Sequence, residues 1–335
     1  MKRIATVIMA VVLMLAMAAC ASTAGDNSGS KGSNANDPNK RTIEYENKYG
    51  KVTIPVNPKN VVALDNRTFE TLEAWGIKLA AAPKAVMPAD SGYKNDDSVL
   101  DIGNHREPNL EIIAAVNPEL VIVGQRFANF YEDIKKLVPN AAVINIDIDV
   151  SAADGTAGDN LVNGFKDITK LLGQIFDKNK EAEALIKQFD DAIAAAKTAY
   201  NGKDTVMSVI VSGGNIGFSA PHNGRVWGPL YDIFGWVPAL TVDNASTDHQ
   251  GDEVSVEAIA QSNPDWLFVL DRDAATSSAG ESVPAKDVIE NSRALKNTTA
   301  VSKGHIVYAP TDTYTNESIQ TFIEIFEEIA KAFKK

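Results

Sequence analysis

One cysteine, four histidines and a deficit of positive charge set the first limits on this 335-residue chain. The lone Cys20 has no partner for an internal disulfide and cannot build a cysteine-rich metal site. The histidines, His105, His222, His249 and His305, show no His-x-His or His-x-x-x-His spacing. A zinc site of three histidines and a carboxylate would consume nearly all of them, so a metal-dependent hydrolase is a distant reading. A formal net charge of -12 disfavours nucleic acid, because nothing replaces the counterions condensed on phosphates. Any anionic ligand must therefore be met by a local cluster of Arg or Lys. The Gly-x-Ser-x-Gly elbow, the Walker-type phosphate loop and a dinucleotide fingerprint in the first βα unit are all missing, and the chain reads as a non-enzyme.

The apolar run at the N-terminus, Ile4 to Ala16, follows Lys2 and Arg3 and precedes Met17-Ala18-Ala19-Cys20. It is too short for a comfortable membrane span and has the three-part order of a secretory signal. A cysteine at the end of such a signal reads as a lipid-acylation site. The expectation is a signal over 1–19, Cys20 as the anchor and a flexible Gly, Ser and Asn tether over 20–40. The competing reading is an ordinary secretory signal with a chance cysteine. Either places the mature chain outside the cytoplasm, and the anchor places it on the outer face of the cell membrane, as in a Gram-positive cell.

Beyond the tether, a hydrophobic share of 44% and a charged share of 23% suit a globular protein long enough for two cores. Thr42 to Glu46 and Lys51 to Val56 read as a hairpin, and Val61 to Asp65 as a buried strand. Apolar runs at Leu120 to Val123, Ala142 to Ile146, Met207 to Val211, Trp266 to Leu270 and His305 to Ala309 alternate with helical patterns, which predicts an α/β fold with mainly parallel sheets. From about Asn160 to Tyr200 the pattern is helical, interrupted near Asp177-Lys178-Asn179. Leu161, Phe165, Ile168, Leu171, Leu172 and Ile175 recur at helical spacing. This segment suits either a rigid connector that limits lobe motion to a modest closure or an ordinary surface helix of the second lobe. The expected layout is a first lobe over 41–158, an inter-lobe helix over 159–177 and a second lobe over 178–335.

The two lobes carry a repeat. Residues 110–126 match residues 256–272 without a gap, with Glu, Ile, Ala, Asn-Pro, Val and Arg coinciding in register. Each copy reads as a helix opened by a capping residue, Asn109 or Ser255, stopped before Asn-Pro and followed by a buried strand. Arg126 and Arg272 then stand just past equivalent strand ends, the edge at which open α/β sheets bind ligands. Planar, permanently charged guanidinium groups suit anionic oxygens. Arg225 lies in the loop Ala220-Pro221-His222-Asn223-Gly224-Arg225 before a helix expected over Val226 to Phe234, placed to meet an anion near that helix start. Glu111 and Glu257 sit in the first turns of the repeated helices, where carboxylates complement the helix dipole, and their equivalence also suits two pegs for a partner with two basic sockets. His249 and Tyr314 fall in loops that reach the same edge, and imidazole and phenolate both suit ferric iron, although either taken alone reads as an exposed loop side chain.

The lipoprotein start, the repeated helix-Asn-Pro-strand element and the long central helix together resemble the class III substrate-binding proteins of iron-siderophore, haem and cobalamin ABC importers. That resemblance implies two Rossmann-like lobes joined by a long rigid helix, a monomer, and no intrinsic cofactor. Arg126, Arg225, His249, Arg272 and Tyr314 look like the site of the catecholate-siderophore subgroup, which includes petrobactin and enterobactin-type binders. By the resemblance the three arginines neutralise a ferric catecholate, His249 and Tyr314 supply iron ligands or cleft wall, and Glu111 and Glu257 dock on a permease dimer. Around Tyr314 the chain reads Asp-Thr-Tyr-Thr-Asn, where the family shows an aromatic pair and a small-residue run. Ferric hydroxamate, haem or a corrinoid are alternative cargoes, and a surface adhesion lipoprotein without a small ligand is the alternative from another class.

Overall fold

The computed structural model describes residues 41–150, 155–243, 245–246, 248–277 and 282–334. The expected signal, tether and Cys20 lie outside the described residues.

The chain opens with the expected hairpin, β1 (Thr42–Asn47) against β2 (Gly50–Pro55), antiparallel and closed by the pairing of Asn47 with Gly50. Ile43, Tyr45 and Val52 alternate onto one face and pack against the core of the first lobe. Five short strands follow: β3 (Val61–Ala63), β4 (Leu79–Ala82), β5 (Leu100–Asp101), β6 (Leu120–Val123) and β7 (Ala142–Asn145). They form a parallel sheet in the order β5-β4-β3-β6-β7. The residues of β3, β6 and β7 are all buried, as continuous apolar runs require when both faces are covered. The order reverses between β3 and β6, which opens a crevice at their C-terminal ends.

The second lobe carries β8 (Thr205–Ser212), β9 (Asn215–Phe218), β10 (Val237–Pro238), β11 (Trp266–Asp271) and β12 (Ile306–Tyr308). β10, β8, β11 and β12 are parallel in that order, while β9 runs antiparallel to β8. The pairings of this sheet are otherwise parallel, in keeping with the mainly parallel expectation. Gly213 and Gly214 at the tip of the β8-β9 hairpin take φ of 58° and 75°, a pair of left-handed residues whose twist suits a two-residue hairpin turn.

The repeat is structural as well as sequential. The helices Leu110–Ala115 and Val256–Ser262 are capped by the Asn109 and Ser255 side chains, which accept from Glu111 N at 3.2 Å and Ala258 N at 3.1 Å. Asn117 and Asn263 both leave the helix with φ of 46°, a left-handed exit that asparagine tolerates, and the following proline ends each helix. Ile113 and Ile259, equivalent positions, are both fully buried.

The connector helix runs Ala157–Ile175 and is followed, after Asp177 at φ 58°, by the helix Asn179–Ala199. Leu161 and Phe165 belong to the second lobe's core with Phe189, Phe322 and Phe326, whereas Leu171, Leu172 and Ile175 belong to the first lobe's core. Each such buried side chain stabilises its core by about 1.5–3 kcal/mol. The last helix, Ile319–Ala332, packs its apolar face against the same aromatic cluster.

Candidate functional site

The site is assembled from strand ends of both lobes. Past β3, Asp65 caps the helix Asn66–Ala74, its carboxylate accepting from Arg67 N at 3.3 Å. Past β6, Gly124 lets the chain pass beside that carboxylate: a Cβ there would lie 2.3 Å from Asp65 Cγ. Gln125 and Arg126 follow at once. In the second lobe Arg272 opens the helix Arg272–Thr276 directly after β11, and its Nη1 donates to Ser212 Oγ at 3.3 Å at the end of β8. Its Nε is buried without a hydrogen-bond partner, and Asp273 Oδ1 lies 3.7 Å from Nη1. Arg225 sits in a loop tightened by left-handed His222 and Val226, and the helix beyond begins only at Gly228.

Tyr314, in the helix Thr313–Asn316, is where these groups meet. The guanidinium carbons of Arg225, Arg272 and Arg126 lie 4.2, 5.2 and 6.0 Å from its ring centroid. Cations over a buried aromatic face are held by the ring quadrupole. Arg126 and Arg225 also donate through Nη2 to the Tyr314 carbonyl, at 3.1 and 3.2 Å. One residue thus gathers an arginine from the first lobe and two from the second. All four line a cavity of about 1260 Å³, and so does the exposed His249, which stands 3.6 Å from Asp248. Glu70, Glu73, Asp312 and Glu324 line other parts of the cavity wall.

The setting of Arg225 differs from the expected contact at a helix start. Its Nε donates to Glu317 Oε1 at 2.6 Å and its Nη2 is ion-paired with the same oxygen. Glu317 Oε2 in turn accepts from Arg67 Nη2 at 3.3 Å, and Asp147 stands 3.8 Å from Arg67 Nη1. The three expected arginines are therefore not three unopposed charges. Burial pushes the Glu317 carboxyl up, but Arg225, Arg67 and Arg126 outweigh it and hold it below the usual carboxylate range. Burial, reinforced by Arg225, lowers the Arg126 guanidinium from its ordinary value.

Sequence reasoning missed Glu317 and Arg67, which stand behind the cavity arginines, and two cavity residues, His105 and Arg106. Burial first, then the charges of Arg126 and Arg106, depress the His105 imidazole below the ordinary histidine range, and its Nδ1 is buried without a partner. The repeat held a signal for it, since His105 precedes its repeated helix much as His249 precedes the other. Glu111 and Glu257 are exposed in the first turns of the repeated helices and do not line the cavity. His305 stacks on Trp266 with centroids 4.3 Å apart, a packing role. Among the described residues, no group of three or more His, Cys, Asp or Glu side chains could hold a metal ion, and no helix is long and apolar enough to cross a membrane.

Comparison with known proteins places this geometry in a family. A family model described as periplasmic binding protein matches residues 61–313. The chain is 30% identical over 342 residues to the petrobactin-binding protein YclQ of Bacillus subtilis (strain 168), covering 100% of each. It is 28% identical over 300 residues to the ferric-anguibactin-binding protein FatB of Vibrio anguillarum (strain ATCC 68554 / 775), covering 89% of each. The crystal structure of YclQ superposes with a TM-score of 0.74 at 28% identity, over 88% of this chain and 100% of that one. With its two α/β lobes, repeated strand-edge arginines and connector helix, the chain belongs to the periplasmic binding protein family, in the class III architecture.

Proposed function

We propose that this chain captures a ferric siderophore of catecholate type, such as petrobactin, outside the cytoplasmic membrane and hands it to the permease dimer of an ABC importer without chemical turnover. The observation that carries the reading is the convergence of Arg126, Arg225 and Arg272 around Tyr314 in one cavity between the lobes. Charge-assisted hydrogen bonds from guanidinium to catecholate oxygens are the contacts this arrangement offers. His249 and Tyr314 are the candidates for coordination positions that the siderophore leaves free, since imidazole and phenolate suit ferric iron. The iron arrives as cargo within its chelate. Similarity to relatives named for petrobactin and ferric anguibactin supports the cargo class.

The chain works as a monomer in this reading. Glu111 and Glu257 contact the permease, and acylated Cys20 holds the protein at the outer face of the membrane. Replacing Cys20 with Ser should move the protein from the membrane fraction to the medium; unchanged fractionation rejects the anchor.

The test of cargo is a tryptophan-fluorescence titration with ferric catecholates and ferric hydroxamates. The catecholates should bind more tightly, and Arg126→Ala, Arg225→Ala and Arg272→Ala should each weaken that binding about tenfold to a hundredfold, the loss of one charge-assisted bond of about 1.5–3 kcal/mol. Tighter hydroxamate binding would overturn the catecholate assignment. Unchanged affinity in all three variants would remove the cavity from consideration.

A further inference from the structure

We infer that Glu317 is a positioning residue that sets how much negative charge the cavity accepts: bonded to Arg225 and outside the cavity lining, its carboxylate offsets one guanidinium and tunes the site towards chelates of low negative charge. The inference rests on the ferric-siderophore reading given above and concerns which members of that class are favoured.

Four observations carry it. Arg225 lines the cavity and lies closest to the Tyr314 ring, yet it also binds Glu317 through two of its nitrogens. Glu317 is 8% exposed, so little water screens its charge. Arg67, its second partner at 3.3 Å, is shared with Asp147 at 3.8 Å, whereas Arg225 Nε approaches Glu317 more closely, at 2.6 Å. The fourth observation is conformational. Glu317 closes the helix Thr313–Asn316 in the left-handed region, at φ 47°. At other left-handed helix ends of this chain the position is filled by Gly235, Gly304 and Asn263, residue types that adopt it with little strain. Glu317 takes that less favoured backbone with its carboxylate on a cavity arginine.

Neutralising Glu317 exposes one more unit of positive charge to the ligand. A trianionic chelate gains from it roughly three times what a monoanionic chelate gains, so the preference between them must change. A purely structural glutamate would weaken both alike.

The test uses two probes, trianionic ferric enterobactin and a monoanionic ferric bis-catecholate of a tetradentate ligand, titrated by fluorescence into the wild type, Glu317→Gln and Glu317→Gly. The glycine variant removes the charge while suiting the left-handed backbone, so it remains informative if the glutamine variant folds poorly. The ratio of Kd for the monoanion to Kd for the trianion should rise about tenfold in the variants. A ratio within twofold of wild type in a folded variant overturns the inference and leaves the siderophore reading standing. If the wild type binds neither probe, the siderophore reading itself fails, and this inference with it.

Discussion

Asp65 offers a sharp test of the electrostatics at the strand ends. Its side chain is 5% exposed, its Oδ2 is buried without a hydrogen-bond partner, and burial pushes its carboxyl from an ordinary 3.8 up to about 6, against the attraction of Arg67. The folded state therefore binds this proton more tightly than the unfolded chain. Stability from this group is fully present below 3.8 and is lost as the pH rises through about 6. At about 1.4 kcal/mol per tenfold in proton affinity, the ionised carboxylate costs the fold about 3 kcal/mol at neutral pH. Asp65→Asn keeps an oxygen to cap the helix and removes the charge, at the expense of some attraction to Arg67. The variant should be more stable than wild type by about 1–3 kcal/mol at pH 7.5, and the difference should shrink to within about 0.5 kcal/mol at pH 4, where the wild-type carboxyl is already protonated. Urea unfolding of both proteins at the two pH values measures this, and groups common to both cancel. A variant that is less stable at pH 7.5, or a difference that does not change with pH, would show that the carboxylate is well paired in the fold and refute the reasoning.

Two other substitutions test neighbouring parts of the structure. Gly124→Ala puts a methyl 2.3 Å from Asp65 Cγ and should cost about 1–3 kcal/mol by urea unfolding; unchanged stability would mean that Asp65 has room to move. Glu111→Ala and Glu257→Ala remove exposed carboxylates from two helix starts, so each should cost no more than about 1 kcal/mol and leave ligand binding intact. If these glutamates dock on the permease, ligand-stimulated ATPase activity of the reconstituted importer should fall at least tenfold in the double variant. Full stimulation would reject the docking role.

Much of the architecture was legible because its signals are local. The alternation of buried runs located β6 at Leu120–Val123 as read from the sequence, and the Asn-Pro repeat placed Arg126 and Arg272 at matching strand ends. The antiparallel strand β9 escaped because the reading followed parallel βαβ alternation and gave no weight to Gly213-Gly214, a turn signal. The helix expected from Val226 starts at Gly228, since Val226 itself is left-handed. Glu317 was illegible for another reason. Its partners Arg225 and Arg67 are 92 and 250 residues away in the chain, and no periodicity or motif records a contact of that kind. In sequence it reads as one more acidic residue ahead of an amphipathic helix. His105 lay between these cases, since comparison of the loops before the repeated helices would have raised it.

The helix Ala157–Ile175 gives one end to each oily interior, and Ile168 near its middle packs against both. The halves therefore share a beam, and neither is a complete building. Cut ahead of that helix, the leading fragment would open a greasy trough where Leu171, Leu172 and Ile175 had lain; cut behind it, the trailing fragment would lose the cover of Leu161 and Phe165. Two-piece expression, swapping one half for a cousin's, or grafting a hinge at this point all break the same beam, so the natural unit of inheritance and of engineering is the undivided pair.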